Sequence, residues 1–325
     1  MESVAMSFRH SRWGLGAVVC LVVVVAAAAA TASPQPFEPI YPMVSPDGKQ
    51  LAWVDGQTWR IWVADPDGTN AHTYGPGFAA NGIGQISWTP IGMIVDSNYT
   101  LFVIHPDGTR TRITTVADQT FSVGGARVAV DGGQGGLPAT VTNLHTRKTI
   151  RIGKVVPTLS PDGARLAWTS FTAGVWVANA SGRNARKIAP RGGGCLAWAP
   201  NGRSVAYLVP VGNRLELQVT PTAGGPSRTV ASGLTGCNLS WSPDGTQIGL
   251  ESERLVLVNL ANGRETRSPL TIGRIAGGFA WSHDSRTVYI TARPFADEAA
   301  GNNCTSLWQL DVRSLAAKPL VRGCT

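Results

Sequence analysis

One short phrase recurs along this chain and limits its fold more than anything else in the sequence. It reads MVSPDGKQLAW at 43–53, LSPDGARLAW at 159–168, LAWAPNGRSVAYL at 196–208, LSWSPDGTQIGL at 239–250 and FAWSHDSRTVYIT at 279–291. Weaker copies are ISWTPIGMIV at 86–95 and FSVGGARVAV at 121–130. The turn position falls at Gly48, Gly92, Gly125, Gly163, Gly202, Gly245 and Ser285, so successive copies stand 44, 33, 38, 39, 43 and 40 residues apart. Self-similarity at a period near 40 marks a repeat architecture. Pro presets one φ and Gly supplies a positive φ, so Pro-Asp-Gly closes a tight turn between two apolar strands.

A second phrase follows the first: an apolar strand, a turn, then a short strand. Examples are WRIWVADPDGTNAHTY at 59–74, LFVIHPDGTRTRIT at 101–114, VWVANASGRNARKI at 175–188 and LVLVNLANGRETRS at 255–268. Each unit thus predicts four short strands, the pattern of a β-propeller blade. Seven units of about 42 residues fill 33–325. The expected fold is all-β, a seven-bladed β-propeller of four-stranded antiparallel blades. Six blades is the alternative, because the 121–152 unit lacks Pro-Asp-Gly. Composition agrees: 43% hydrophobic residues exclude a disordered chain, and 38 Gly, 21 Pro and only 15% charged residues leave no long stretch suited to helix.

The copies at Ser45-Pro46-Asp47-Gly48, Ser160-Pro161-Asp162-Gly163 and Trp241-Ser242-Pro243-Asp244-Gly245 resemble the TolB-like propeller repeat, a relative of the WD-type repeat. The resemblance covers nearly all of 33–325. It implies the propeller ring; the expected function is a non-enzymatic scaffold whose loops hold a protein or cell-envelope partner around one mouth. Related propellers include protein-binding scaffolds, peptidase accessory domains and polysaccharide lyases, so a lyase or hydrolase is the alternative function.

The N-terminus carries a second signal. Arg9, His10 and Arg12 precede an apolar run from Leu15 to Ala30, and Ala30-Thr31-Ala32 precedes Ser33. Basic start, apolar middle and small-residue end predict a signal peptide over 1–32. The run is 16 residues long, short of the ~20 that span a bilayer; an uncleaved anchor is the alternative. The expected location is outside the cytoplasm: periplasmic, extracellular or on the surface of a bacterium. Oxidising surroundings favour disulfides. With strands labelled A to D from the centre outward, Cys195 and Cys237 precede strand A in adjacent blades, while Cys304 and Cys324 flank strands C and D of the last blade. The expected pairs are Cys195–Cys237 and Cys304–Cys324, with four free thiols as the alternative.

The A–B and C–D turns lie on one face of such a ring, and the B–C and D–A loops on the other. Asp55, Asp96, Asp131, Glu251 and Glu253 are expected in B–C loops, as a candidate partner or cation site at the channel mouth; ordinary turn chemistry is the competing reading. The net charge of +8 is expected to make the A–B/C–D face basic and the loop face locally acidic. Arg112, Arg186, Arg228, Arg267 and Lys318 recur near strand D, where charge protects an edge or docks an anionic polymer. Trp88, Trp198, Trp241 and Trp281 share one register, suited to packing between blades, with sugar stacking as the alternative. His72, His105, His145 and His283 fall on outer strands or turns, and no G-x-S-x-G or H-E-x-x-H appears. No catalytic residue, metal or cofactor is expected. The expected partner of this monomer is a protein or an anionic cell-envelope polymer, not nucleic acid, with membrane contact only through an uncleaved leader.

Overall fold

Ser45 shows why the phrase folds as it does. Its hydroxyl donates to Asp47 Oδ1 at 2.7 Å and accepts from the Gln50 N–H at 2.9 Å. The same two bonds recur at Ser160, Ser242 and Ser282, to Asp162 and Arg165, Asp244 and Gln247, and Asp284 and Thr287. Ser160 and Ser242 are fully buried, so each hydroxyl must find its partners inside the turn. The aspartates also accept the backbone N–H two residues on. Asp47, Asp162 and Asp284 are held below the usual carboxylate range, first by the serine hydrogen bond. Each copy is thus a prewired hairpin between strands A and B.

A computed structural model describes residues 38–78, 82–115, 120–132, 137–170, 172–299 and 304–323. The expected signal peptide, Cys20 and Cys324 lie outside the described residues, and with Cys324 the expected Cys304–Cys324 pair. Seven separate four-stranded antiparallel sheets span 39–73, 85–115, 121–153, 158–189, 196–234, 239–267 and 274–321. Every sheet runs A-B-C-D in chain order. The ring has seven blades, not six. Strand A of blade 3, Phe121–Gly124, joins strand B, Arg127–Val130, through a short turn with Gly125 at φ 50°. Its backbone lies so close to the next blade that a Cβ on Gly163 would overlap the Gly124 carbonyl. Glycine is required on chain proximity as well as on φ there.

Seven buried apolar clusters hold the ring, one at each joint. Leu166 and Leu159 meet Ala129 and Val141 between blades 3 and 4, the smallest of the interior joints. The joint between blades 5 and 6 is larger and includes Leu208, Leu217, Leu239 and Ile248. Each strand B is buried on both faces, one side toward each neighbour, which is why it reads as a continuous apolar run. The tryptophans act as packing predicts. Trp198, Trp241 and Trp281 donate their indole N–H to the preceding blade's strand A at Thr158 O (3.0 Å), Ala197 O (3.2 Å) and Ser240 O (3.3 Å).

Closure needs no exchanged strand. Leu51, Trp53 and Ala64 of blade 1 pack on Tyr289 and Leu307 of blade 7. The Thr305 hydroxyl donates to Pro39 O at 2.8 Å in the same joint. Gly277 leaves room for Ile40, where both inner strands are irregular in register. Among the described residues the only helical turns are Leu270–Ile272 and Phe295–Ala299.

Candidate functional site

Strand pairing gives the acidic residues their places. Trp88, Val123 and Trp241 of strand A stand opposite Met93, Val128 and Ile248 of strand B. Three residues further along strand B come Asp96, Asp131 and Glu251, one shared position in blades 2, 3 and 6. Alternation puts all three on the side facing the next blade. Ile94 on that side meets blade 3, Ala129 meets blade 4, and Gly249 lies against Phe279 of blade 7. The three carboxylates therefore enter three different joints. Asp55 stands one place later, beside Trp53 on the side facing blade 7. The sequence suggests B–C loops for these groups; instead Asp55 and Glu251 end strand B itself, and Asp96 is its last residue but one. They do not converge on a mouth.

Their environments differ. Asp55 is buried and accepts from the Glu38 and Gln57 N–H groups, both at 3.2 Å, and from the Thr58 hydroxyl, so turn chemistry accounts for it. Glu251 accepts from Asn238 Nδ2 at 2.9 Å. Glu253 pairs with Arg274 at 3.3 Å, and Arg274 also reaches Glu298 at 3.2 Å. Asp131 borders two clefts, of 600 and 100 Å³. Asp96 is the exception. It has no exposed surface, and neither oxygen has a hydrogen-bond partner among the described residues. Its neighbour Gln85 is taken up by the backbone of Phe121, through two bonds of 2.9 Å. Burial pushes Asp96 up to about 6. A turn-like Asp-Ser-Asn string hid this in the sequence: the turn begins only at its last residue, with Asn98 and Tyr99 both at positive φ.

The basic residues also differ from expectation. Arg127 and Arg165 donate to Gly163 O at 2.8 Å and Gly202 O at 2.7 Å, each in the following blade. Arg186 reaches Thr222 O and Ala223 O, and Arg228 reaches Leu260 O at 2.9 Å. These four bind blade to blade and are not a free docking surface. The loop face is not locally acidic as predicted, while the A–B/C–D face keeps an excess of exposed bases among its acids. On the A–B/C–D face exposed acids such as Asp47, Asp107 and Asp244 alternate with Lys49, Arg183 and Arg203. On the loop face the exposed charges are Arg60, Lys154, Arg191, Arg214, Arg274 and Arg322, and the one exposed acid among the described residues, Glu253, is ion-paired. The acids there are mostly buried or half-buried.

At the centre, a 320 Å³ cleft is lined by Pro42, Met43, Trp88, Trp241 and Trp281 among others, with Ser87 and Ser240 as its hydroxyls and no ionisable side chain. Among the described residues no three His, Cys, Asp or Glu side chains stand close enough to hold a metal. Cys195 and Cys237 form the expected disulfide, their Cα atoms 5.5 Å apart, joining blades 5 and 6 on the loop face. That bond is consistent with an oxidising location. No helix among the described residues is long and apolar enough to cross a membrane.

No family model and no curated protein sequence matches this chain. Solved structures share its fold. An oligogalacturonate lyase from Vibrio parahaemolyticus superposes with TM-score 0.68 at 13% identity, over 87% of this chain and 93% of that one. A puromycin hydrolase gives 0.61 at 13% identity, over 89% of this chain and 54% of that one. The Cps50 (Swd1) β-propeller domain of Myceliophteria thermophila gives 0.62 at 10% identity, over 91% and 100%. At such identities the likeness carries the seven-bladed propeller and nothing finer.

Proposed function

We propose that this chain is an exported, non-enzymatic propeller of the TolB-like kind, a scaffold that binds a protein or another cell-envelope component through its B–C/D–A face. One observation carries the reading. Tyr99, Leu137, Val156, Val211 and Leu270, the large apolar side chains exposed among the described residues, all stand on that face. They are 43–66% exposed and come from loops spread over blades 2 to 6. Their confinement to one side of the ring is what favours that side as the interaction surface. The opposite face has none among the described residues. The carboxylates that could serve catalysis enter separate joints, and the central cleft has no ionisable lining, which favours binding over chemistry. The leader and the Cys195–Cys237 bond support export.

The test is capture from bacterial envelope extract by the full chain. Leu137→Ser/Val156→Ser/Leu270→Ser is compared with Arg183→Gln/Arg203→Gln/Arg313→Gln on the other face. The first variant is expected to lose the captured material and the second to keep it. Equal capture by both contradicts the reading.

A further inference from the structure

We infer that the B–C/D–A face docks flat on a membrane surface rich in anionic lipid. The inference rests on the scaffold reading for the choice of face and adds what the face meets. Two observations carry it. First, the exposed apolar residues are single loop tips spread around the ring rather than one patch. Tips set apart on one side of the ring suit insertion between headgroups; a protein hot spot gathers its anchors in a central, packed pocket. Tyr99 adds an aromatic ring, the type enriched at membrane interfaces.

Second, charge accompanies those tips. Arg60, Lys154, Arg191, Arg214 and Arg322 are exposed on the same face, from blades 1, 3, 4, 5 and 7, and none has an ion-pair partner within the ring among the described residues. The acids of that face are buried, half-buried or tied to Arg274. An anionic lipid surface is the complement of apolar tips interleaved with free cations.

The experiment is vesicle flotation of the full chain on phosphatidylglycerol–phosphatidylcholine vesicles and on phosphatidylcholine alone. The variant Lys154→Gln/Arg191→Gln/Arg214→Gln is set against Arg183→Gln/Arg203→Gln/Arg313→Gln, which removes the same charge from the opposite face. Each basic side chain near an anionic surface is worth about fivefold, so the first variant is expected to lose about a hundredfold on the anionic vesicles and the second to retain its binding. On phosphatidylcholine all chains should behave alike, since the leader is common to them. Equal loss in both variants, or no preference for anionic vesicles, overturns the proposal. If that happens while the apolar-tip variant still loses envelope proteins, the lipid reading falls and the scaffold reading stands. If capture is also unchanged, both fall.

Discussion

The two faces of this ring are built by opposite rules. On the A–B/C–D face one turn is copied around the ring, and the turn's own groups are bonded locally: Ser45, Ser160, Ser242 and Ser282 bond their aspartates, and Arg127 and Arg165 bond the next blade's turn. On the B–C/D–A face no phrase repeats. Loop lengths differ, apolar tips stand in solvent, and one carboxylate, Asp96, is buried without a partner. Repetition builds the ring, and departure from repetition marks the face proposed to meet a partner. Local rules suffice for the first face, while the second is meaningful only against the whole ring.

The largest expected effect breaks the ring itself. Trp281 is buried in the joint between blades 6 and 7 and tethers Ser240 O. Trp281→Ala should cost about 3–5 kcal/mol in urea unfolding, since it leaves a large cavity and an unbonded carbonyl. A cost below about 1 kcal/mol would show that the indole fills space without holding the joint.

Asp96 sharpens the contrast, because its effect has the other sign. Its native pKa of about 6 lies above the ordinary 3.8, so the folded chain binds this proton more tightly than the unfolded chain does. That contribution is present at acid pH and is lost as pH rises from about 4 to about 6. Asp96→Asn should therefore stabilise the protein at neutral pH by on the order of 3 kcal/mol and leave it nearly unchanged below pH about 4. Melting curves across that range check it; destabilisation at neutral pH would mean the carboxylate has a partner when ionised.

A smaller effect tests the copied turn. Ser160→Ala leaves the Arg165 N–H without its buried acceptor and should cost about 2 kcal/mol. The smallest effect belongs to the free face. Leu270→Ser should change stability by less than about 0.5 kcal/mol, as exposed sites usually do, while weakening capture. A large loss of stability there would assign Leu270 to the core instead.

Much of the ring was legible in the sequence, for a physical reason. Pro-Asp-Gly, its serine and the tryptophan beside it act on neighbours within a few residues or at one fixed repeat distance, so spacing alone places them. The same holds for Cys195 and Cys237, which sit at one register in consecutive units. What sequence could not place were side chains whose role depends on a different blade. Arg186 and Arg228 read as edge protection, yet their partners lie more than thirty residues away. Asp96 read as part of a turn because Asp-Ser-Asn suits turns, and only pairing with Gln85 and Leu101 shows it inside strand B. The charge of the loop face was misjudged because a count of residues ignores burial.

Hydrogen–deuterium exchange of the full chain, alone and on phosphatidylglycerol-containing vesicles, tests the account most directly. Protection is predicted at 98–99, 137–138, 154–156, 211–214 and 270–274, with 46–49, 106–109 and 201–203 unchanged. Protection confined to those three turns, or spread equally over both sides, would contradict it.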